Sequence, residues 1–314
     1  MTVHFLGDVH LGKSFQTGTP LSRRGDREAM QWVQFILHLN TVEPGDIHIQ
    51  VGDLFDRFQV SYDITYNTAK VYRDAAKRHP LTTFVILRGN HDASRDLERV
   101  SSFDVFEGLV DICDNIIVVT DKPCYLPGFV FLPWSPEINS SQMVDLVSHS
   151  GGFDKAVGHY DVVAIGDTSN LVPAEALKAL GVKHIYTGHD HLPRELEIGG
   201  LPVTVIGSMQ PYSHGEDPDE KIYVTRTLDQ VLAAPDSFRD KCLRVILQPD
   251  EVFDVQIDCL SLQISRSKVE GEDLQKVDFE AFDLEDLFKQ ACNTVGLTEN
   301  MVKLSFVKLQ DARL

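Results

Sequence analysis

Short apolar runs alternate with amphipathic stretches up to about residue 215, a pattern of strands joined by helices. Residues 2–7, 46–51 and 83–87 read as strands, and 26–40 and 61–78 as helices, the second stopped by Pro80. In the first helix Met30, Val33, Leu37 and either Phe35 or Ile36 are placed on the inner side. The alternation continues with a helix over 103–110 and strands over 115–120 and 128–132. Residues 154–157 lead into Gly158-His159, 162–165 are apolar and strand-like, and 173–180 form a helix with Pro173 in its first turn. Strands at 184–187 and 203–206 complete the series.

After Gly215-Glu216-Asp217-Pro218 the character changes. Residues 222–225, 243–247 and 252–260 suggest strands, 284–295 a helix and 302–307 a last strand, with a polar, acidic linker or loop at 268–280. No histidine follows His214. The expected organisation is therefore a domain over 1–217 and a smaller one over 218–314.

Composition narrows the class. The 314 residues hold enough apolar sequence for one large α/β core and a smaller domain. No apolar run reaches the ~18 residues of a membrane-spanning helix. The N-terminus enters a strand without a basic leader, so no signal peptide is expected. The five cysteines are scattered and never form a CxxC pair, which points to reduced thiols in a cytoplasmic protein rather than zinc knuckles or disulfides. The net charge of −18 opposes any polyanionic ligand unless metal ions, a local basic patch or a partner protein offset it.

The chemistry sits at the strand ends, where open α/β sheets bind ligands. Asp8-Val9-His10 follows the first strand, Gly52-Asp53-Leu54-Phe55-Asp56 the second, Arg88-Gly89-Asn90-His91-Asp92 the third, and Gly188-His189-Asp190-His191 a later one. In an extended segment Asp8 and His10 point the same way and can share one ion. Asp53 could bridge two ions, and the Asn90 amide oxygen suits a hard divalent cation. Mixed oxygen and nitrogen ligation without cysteine favours Mn²⁺, Fe²⁺ or Zn²⁺ over Ca²⁺. Two ions ~3.5–4 Å apart clamp a phosphodiester and activate water. His91, next to Asn90, is placed as the general acid, with Asp56 orienting its imidazole.

These four strings together resemble the calcineurin-like metallophosphoesterase superfamily over residues 1 to about 215. Within it, Asp8-Val9-His10-Leu11-Gly12, Gly52-Asp53-Leu54-Phe55-Asp56 and the closing string from Gly207-Ser208 to Glu216 resemble the SbcD-type nuclease subunits of double-strand-break processing and their bacteriophage counterparts. The resemblance implies a β-sandwich flanked by helices in four αββα layers, with a smaller C-terminal α+β capping domain. It implies one metal held by Asp8, His10, Asp53 and His191 and a second by Asp53, Asn90, His159 and His189, with His91 as the catalytic histidine and Asp56 as its partner. His159 rests on a Gly-His-aromatic string; Asp167 and then His149 are the alternatives.

The resemblance further implies a manganese-dependent DNA exo- and endonuclease, with magnesium, iron or zinc as other possible cofactors. Its partners would be DNA, a second copy of the chain and an SbcC-type coiled-coil ATPase, away from any membrane. Two other readings compete: a phosphomonoesterase or small-molecule phosphodiesterase of the same superfamily, and a metal-free scaffold. Arg23-Arg24, Arg95 and Arg99 are read as solvated surface, His4, His38, His48, His79 and His184 as structural or surface, and Trp134 as core or rim packing.

Overall fold

The computed structural model describes residues 2–267 except 95, 97–98, 149–151 and 165–167. The helix expected at 284–295, the strand at 302–307 and the linker at 268–280 lie outside the described residues. The chain divides into compact units Met1–Ser265 and Arg266–Leu314, and every site discussed below belongs to the first.

Four strands, β1 (Val3–Leu6), β2 (Ile47–Gln50), β3 (Thr83–Leu87) and β4 (Ile116–Val119), form a wholly parallel sheet in that order. A second sheet contains β5 (Cys124–Leu126), β6 (Gly128–Phe131), β7 (Phe153–Gly158), β8 (His184–Thr187), β9 (Arg194–Ile198) and β10 (Leu201–Val205), in the order β5-β6-β7-β8-β10-β9. Its middle is parallel and its outer strands are antiparallel.

The two sheets share one apolar layer. Ile49, Val51, Val85 and Leu87 of the first meet Phe129, Phe131 and Val157 of the second; β3 is apolar on both faces, whereas β2 turns buried His48 and Gln50 to its other face. Helices α1 (Asp26–Leu39), α2 (Tyr62–Arg78) and α3 (Ser102–Val110) cover the outer face of the first sheet through Phe35, Tyr72 and Phe106. Helices α4 (Ser140–Asp145) and α5 (Ala174–Ala179) cover the second through Met143, Val144 and Leu177. This is the expected four-layer αββα sandwich.

After residue 217 a third sheet, β11 (Tyr223–Thr227), β12 (Cys242–Leu247) and β13 (Ser261–Arg266), packs with α6 (Leu228–Ala233) around Val224, Val231, Leu243 and Val245.

Three readings from sequence require correction. In α1, Val33 and Leu37 are 56% and 58% exposed, and the buried stripe is Arg27, Gln31, Phe35 and Leu39. Two polar residues occupy that stripe because they hydrogen-bond the loops at the sheet ends, so hydrophobicity alone phased the helix wrongly. Residues 162–164 are not a strand but a bend and coil after the isolated Asp161–Leu171 bridge; the strand leading to the candidate histidine is β7. Residues 252–260 form no strand either. They alternate in burial, with Phe253 and Ile257 on the third core, but ladder pairing starts only at Ser261. Alternation records burial, and a strand also needs a neighbour to bond.

The phase of α1 is testable by urea denaturation. Phe35→Ala should cost about 3–5 kcal/mol, whereas Val33→Ser and Leu37→Gln should each stay within about 0.5 kcal/mol of wild type. Comparable losses at all three positions would restore the face expected from sequence.

Candidate metal centre

Parallel strands β1, β2 and β3 of one sheet and β7 and β8 of the other all end on the same side, and the loops leaving them converge. Asp8 bridges to Ser208 and Leu11 to Phe55, so the loops after β1, β2 and β10 are tied together directly. Val9 and His10 both donate their N–H to the Asp53 carbonyl, at 3.0 Å each.

His10, Asp53 and His189 have φ of 50°, 53° and 76°, in the left-handed region. Such a conformation costs a non-glycine residue of order 1–3 kcal/mol and persists only when the surroundings impose it. Here it turns three donor side chains inward. Two glycines make room for them. A Cβ on Gly89 would lie 2.2 Å from Asp53 Oδ1, and one on Gly52, itself at φ +109°, would lie 2.2 Å from His159 Nδ1.

Every donor expected from sequence is brought together. Asp8, His10 and His191 present ligating atoms within one small volume, as do His10, Asp53 and His91, and Asp53, His159 and His189. Asp53 lies 3.9 Å from His10 Nε2 and 3.4 Å from His159 Nε2, which puts it between the two groups. The Asn90 amide oxygen is 2.9 Å from both His159 Nε2 and His189 Nδ1. The alternatives Asp167 and His149 lie outside the described residues.

The far sides of the His159, His189 and His191 rings are committed elsewhere. His159 donates its Nδ1–H to the Val51 carbonyl at 2.9 Å, and His189 Nε2 meets Asp161 Oδ1 at 2.8 Å. His191 Nδ1 meets Glu216 Oε2 at 3.1 Å, and Glu216 also accepts from the Tyr212 N–H at 2.8 Å. A carboxylate or carbonyl behind a ligating imidazole sets its tautomer and aims the other nitrogen.

The donor set fits a pair of divalent cations. With their outer nitrogens bonded, His159 and His189 aim their remaining ring nitrogens at the Asn90 amide oxygen, three donor atoms that one cation between them would satisfy. His10 Nε2 likewise faces His191 Nε2 at 3.0 Å, and His10 Nδ1 is buried with no hydrogen-bond partner. Electrostatics agree. Burial, with Asp53 nearby, pushes Asp8 up to about 8 despite His159 and His191. Burial alone would raise Asp53 too, but His159, His10 and His91 hold it below the usual carboxylate range. Burial would lower His159, but Asp53 and Asp8 override it and raise its ring to about 10. That proton supplies compensating charge which a metal ion would replace.

His91 lies beside this cluster with its side chain 44% exposed, its Nε2 4.0 Å from Asp53 Oδ2 and its backbone N–H donated to Asp53 Oδ1 at 2.9 Å. Its Nδ1–H donates to Asp56 at 2.6 Å, but to the backbone carbonyl. The Asp56 carboxylate instead reaches Lys13 Nζ at 3.3 Å and stands 4.0 Å from His10 Nδ1. The centre opens into a cleft of about 580 Å³ whose walls include Asn90, His189, Asp161 and, at the rim, Trp134.

Sequence reasoning missed several supporting residues. Asp92 is fully buried and accepts from the N–H groups of Leu54, Phe55 and Gly89, clamping two loops together. Gln31 donates to the Val9 and His10 carbonyls at 2.7 and 3.1 Å. A glutamine in a helix's inner stripe was the available signal; Asp161 carried none. Of the arginines, Arg23 is spent on Asp26 and Asp258, and Arg99 lies over the Phe58 ring.

The calcineurin-like phosphoesterase family model matches residues 1–193, and the chain belongs to that family. Membership implies a metal-dependent phosphoester hydrolase. No curated protein matches the chain. Among solved structures it is similar to the phosphopantetheinyl hydrolase PptH of Mycobacterium tuberculosis, at 14% identity over 68% of this chain and 93% of that one, with a TM-score of 0.40. It is also similar to GAP50, the anchor in the inner membrane complex of Plasmodium, at 13% identity over 66% of this chain and 71% of that one, with a TM-score of 0.36.

Two outcomes are expected from this geometry. Glu216→Gln should weaken metal retention about 10–100-fold, the usual cost of losing an outer-shell partner, as read by metal titration. Asp56→Asn should leave His91 in place, because its contact is to the main chain. An activity loss as large as that of His91→Ala would refute that account.

Proposed function

We propose that the chain is a manganese-dependent DNA nuclease, the phosphoesterase subunit of an SbcCD-type recombination complex. The observation that carries the reading is the cluster around Asp53, with Asp8, His10 and His191 on one side, Asn90, His159 and His189 on the other, and His91 exposed beside it. Two divalent ions held there supply the Lewis acidity that phosphodiester hydrolysis requires.

The residues divide the remaining work. Asp53 and Asn90 hold the two halves of the centre in register, and Glu216 and Asp161 keep His191 and His189 aimed inward. His91, with Nδ1–H tied to the Asp56 carbonyl, turns Nε2 toward the metal cluster, 4.0 Å from Asp53 Oδ2, and protonates the departing 3′ oxygen there.

The DNA assignment is supported by the strings Asp8–Gly12, Gly52–Asp56 and Gly207–Glu216. The last of these also does structural work at the site, since Glu216 and Tyr212 both brace it. The region after 217 is proposed as the cap that positions DNA over the metals. A homodimer and an SbcC-type coiled-coil ATPase are the proposed partners. The ATPase would supply the grip that a chain of net charge −18 lacks.

A cytoplasmic location is proposed from the free cysteines, and among the described residues no helix is long and apolar enough to cross a membrane. The same charge favours a second reading, a phosphomonoesterase or small-molecule phosphodiesterase using the same centre. A metal-free scaffold has the converging donor set against it.

The deciding experiment compares end-labelled duplex and single-stranded DNA with nucleotides and phosphoproteins as substrates in Mn²⁺. DNA cleavage is expected, and His91→Ala should reduce it by about 10²–10⁴ while both metals stay bound. Turnover of monoesters alone, with DNA intact even when the ATPase is added, would establish the second reading. His159→Ala should lose one of the two ions by metal analysis. Retention of both ions and full activity would remove His159 from the ligand set.

A further inference from the structure

A second cavity adjoins the metal centre. It encloses about 350 Å³ between the loop after β1 and the third sheet, and its walls include Lys13, Phe15, Arg27, Tyr212, Tyr223 and Arg244. Such a volume suits a small organic ligand. Its charge runs against the rest of the molecule. In a chain with 47 acidic and 29 basic residues, its described lining holds Lys13, Arg27 and Arg244 and no carboxylate.

Tyr212 joins this cavity to the catalytic centre. Its ring meets His10 edge-on at 5.3 Å and His191 at 5.6 Å, and lies nearly parallel to Phe15, at 17° and 6.2 Å. The ring is pinned, because its hydroxyl donates to the Val9 carbonyl and accepts from Gln31 at 3.3 Å. Arg27 is buried between Phe15 and Tyr223, 4.7 and 5.6 Å from their ring centres, and its Nε has no hydrogen-bond partner. Arg244 donates through Nε to Gln263 at 3.1 Å.

Aromatic rings beside cations, with no carboxylate residue in the described lining although Lys13 also meets Asp56 at 3.3 Å, match the chemistry of a nucleotide: a base to stack and a phosphate to neutralise. We propose that this cavity binds one nucleotide of a DNA strand whose adjoining phosphodiester lies at the metal centre, with the base on Phe15 and Tyr212 and its phosphate at Arg244. The proposal rests on the nuclease reading above. It also gives an acidic chain a local means of holding DNA, through stacking and a small basic lining rather than a broad positive field.

The test measures binding separately from cleavage. Fluorescein-labelled single-stranded DNA is titrated, with anisotropy as readout, into the Mn²⁺-loaded full chain carrying His91→Ala. Phe15→Leu and Arg244→Gln are then added singly. Each should weaken binding roughly tenfold or more. Arg244→Gln should also reduce the salt dependence by about one counterion, whereas Phe15→Leu should leave it unchanged. In chains with His91 intact, both substitutions should leave hydrolysis of bis-p-nitrophenyl phosphate unaltered, since that ester needs only the metal centre.

Unchanged DNA affinity in both variants, or equal loss of binding and of bis-p-nitrophenyl phosphate hydrolysis in both, overturns the proposal. Binding that depends on Phe15 and Arg244 without any DNA cleavage by the wild-type chain overturns the nuclease reading and leaves the cavity assignment standing.

Discussion

Two carboxylates, Asp8 and Asp53, are buried together where the sheet ends meet, and much of the surrounding structure compensates for them. Removing a carboxylate from water is costly, and a like charge nearby raises the cost. Asp53 remains ionised because His159, His10 and His91 surround it, and Asp8 accepts the His189 N–H at 3.0 and 3.2 Å. These arrangements leave nitrogen and oxygen lone pairs facing one another, the electrostatic signature of a cation site. The same carboxylates that burden the fold are thus the centre of the candidate metal site.

Holding that geometry requires a rigid frame, and the sandwich provides one. The shared apolar layer between the sheets fixes the strand ends, and buried polar groups fix the loops beyond them. Asp92 ties the loop after β2 to the turn after β3 through three backbone donors. Gln31 and Tyr212 hold the loop after β1 from opposite partners, a helix and a distant loop. Left-handed backbone at His10, Asp53 and His189 is strain that such a frame can sustain and an isolated loop could not.

The chain carries a net charge of −18, and some of its cations are paired with its own carboxylates, as Arg23 is with Asp26 and Asp258. What positive character the active region has comes from the expected metals and from the small basic lining beside Tyr212. Positive character is thereby concentrated at the candidate metal centre and the cavity beside it rather than spread as a broad field.

The sequence by itself determined the family and the layered α/β core, and it singled out the candidate donors that the fold brings together. Asp8, His10, Asp53, Asn90, His91, His189 and His191 stand in short strings at strand ends, and strand-to-loop junctions are local features that apolar runs and glycines mark. His159 was legible through its neighbours Gly158 and Tyr160, although the strand beneath it had a competitor in residues 162–165.

Only the tertiary structure decided which face of α1 is buried, since Arg27 and Gln31 are inside for the sake of partners distant in sequence. It alone showed that Asp56 meets His91 through its carbonyl, that Asp92, Asp161 and Glu216 brace the site, and that Tyr212 packs against His10 and His191. A residue's type and local spacing indicate which atoms it can offer. Which atom is used depends on groups brought within about 3 Å by the packing of other elements, and periodicity along the chain carries no information about that.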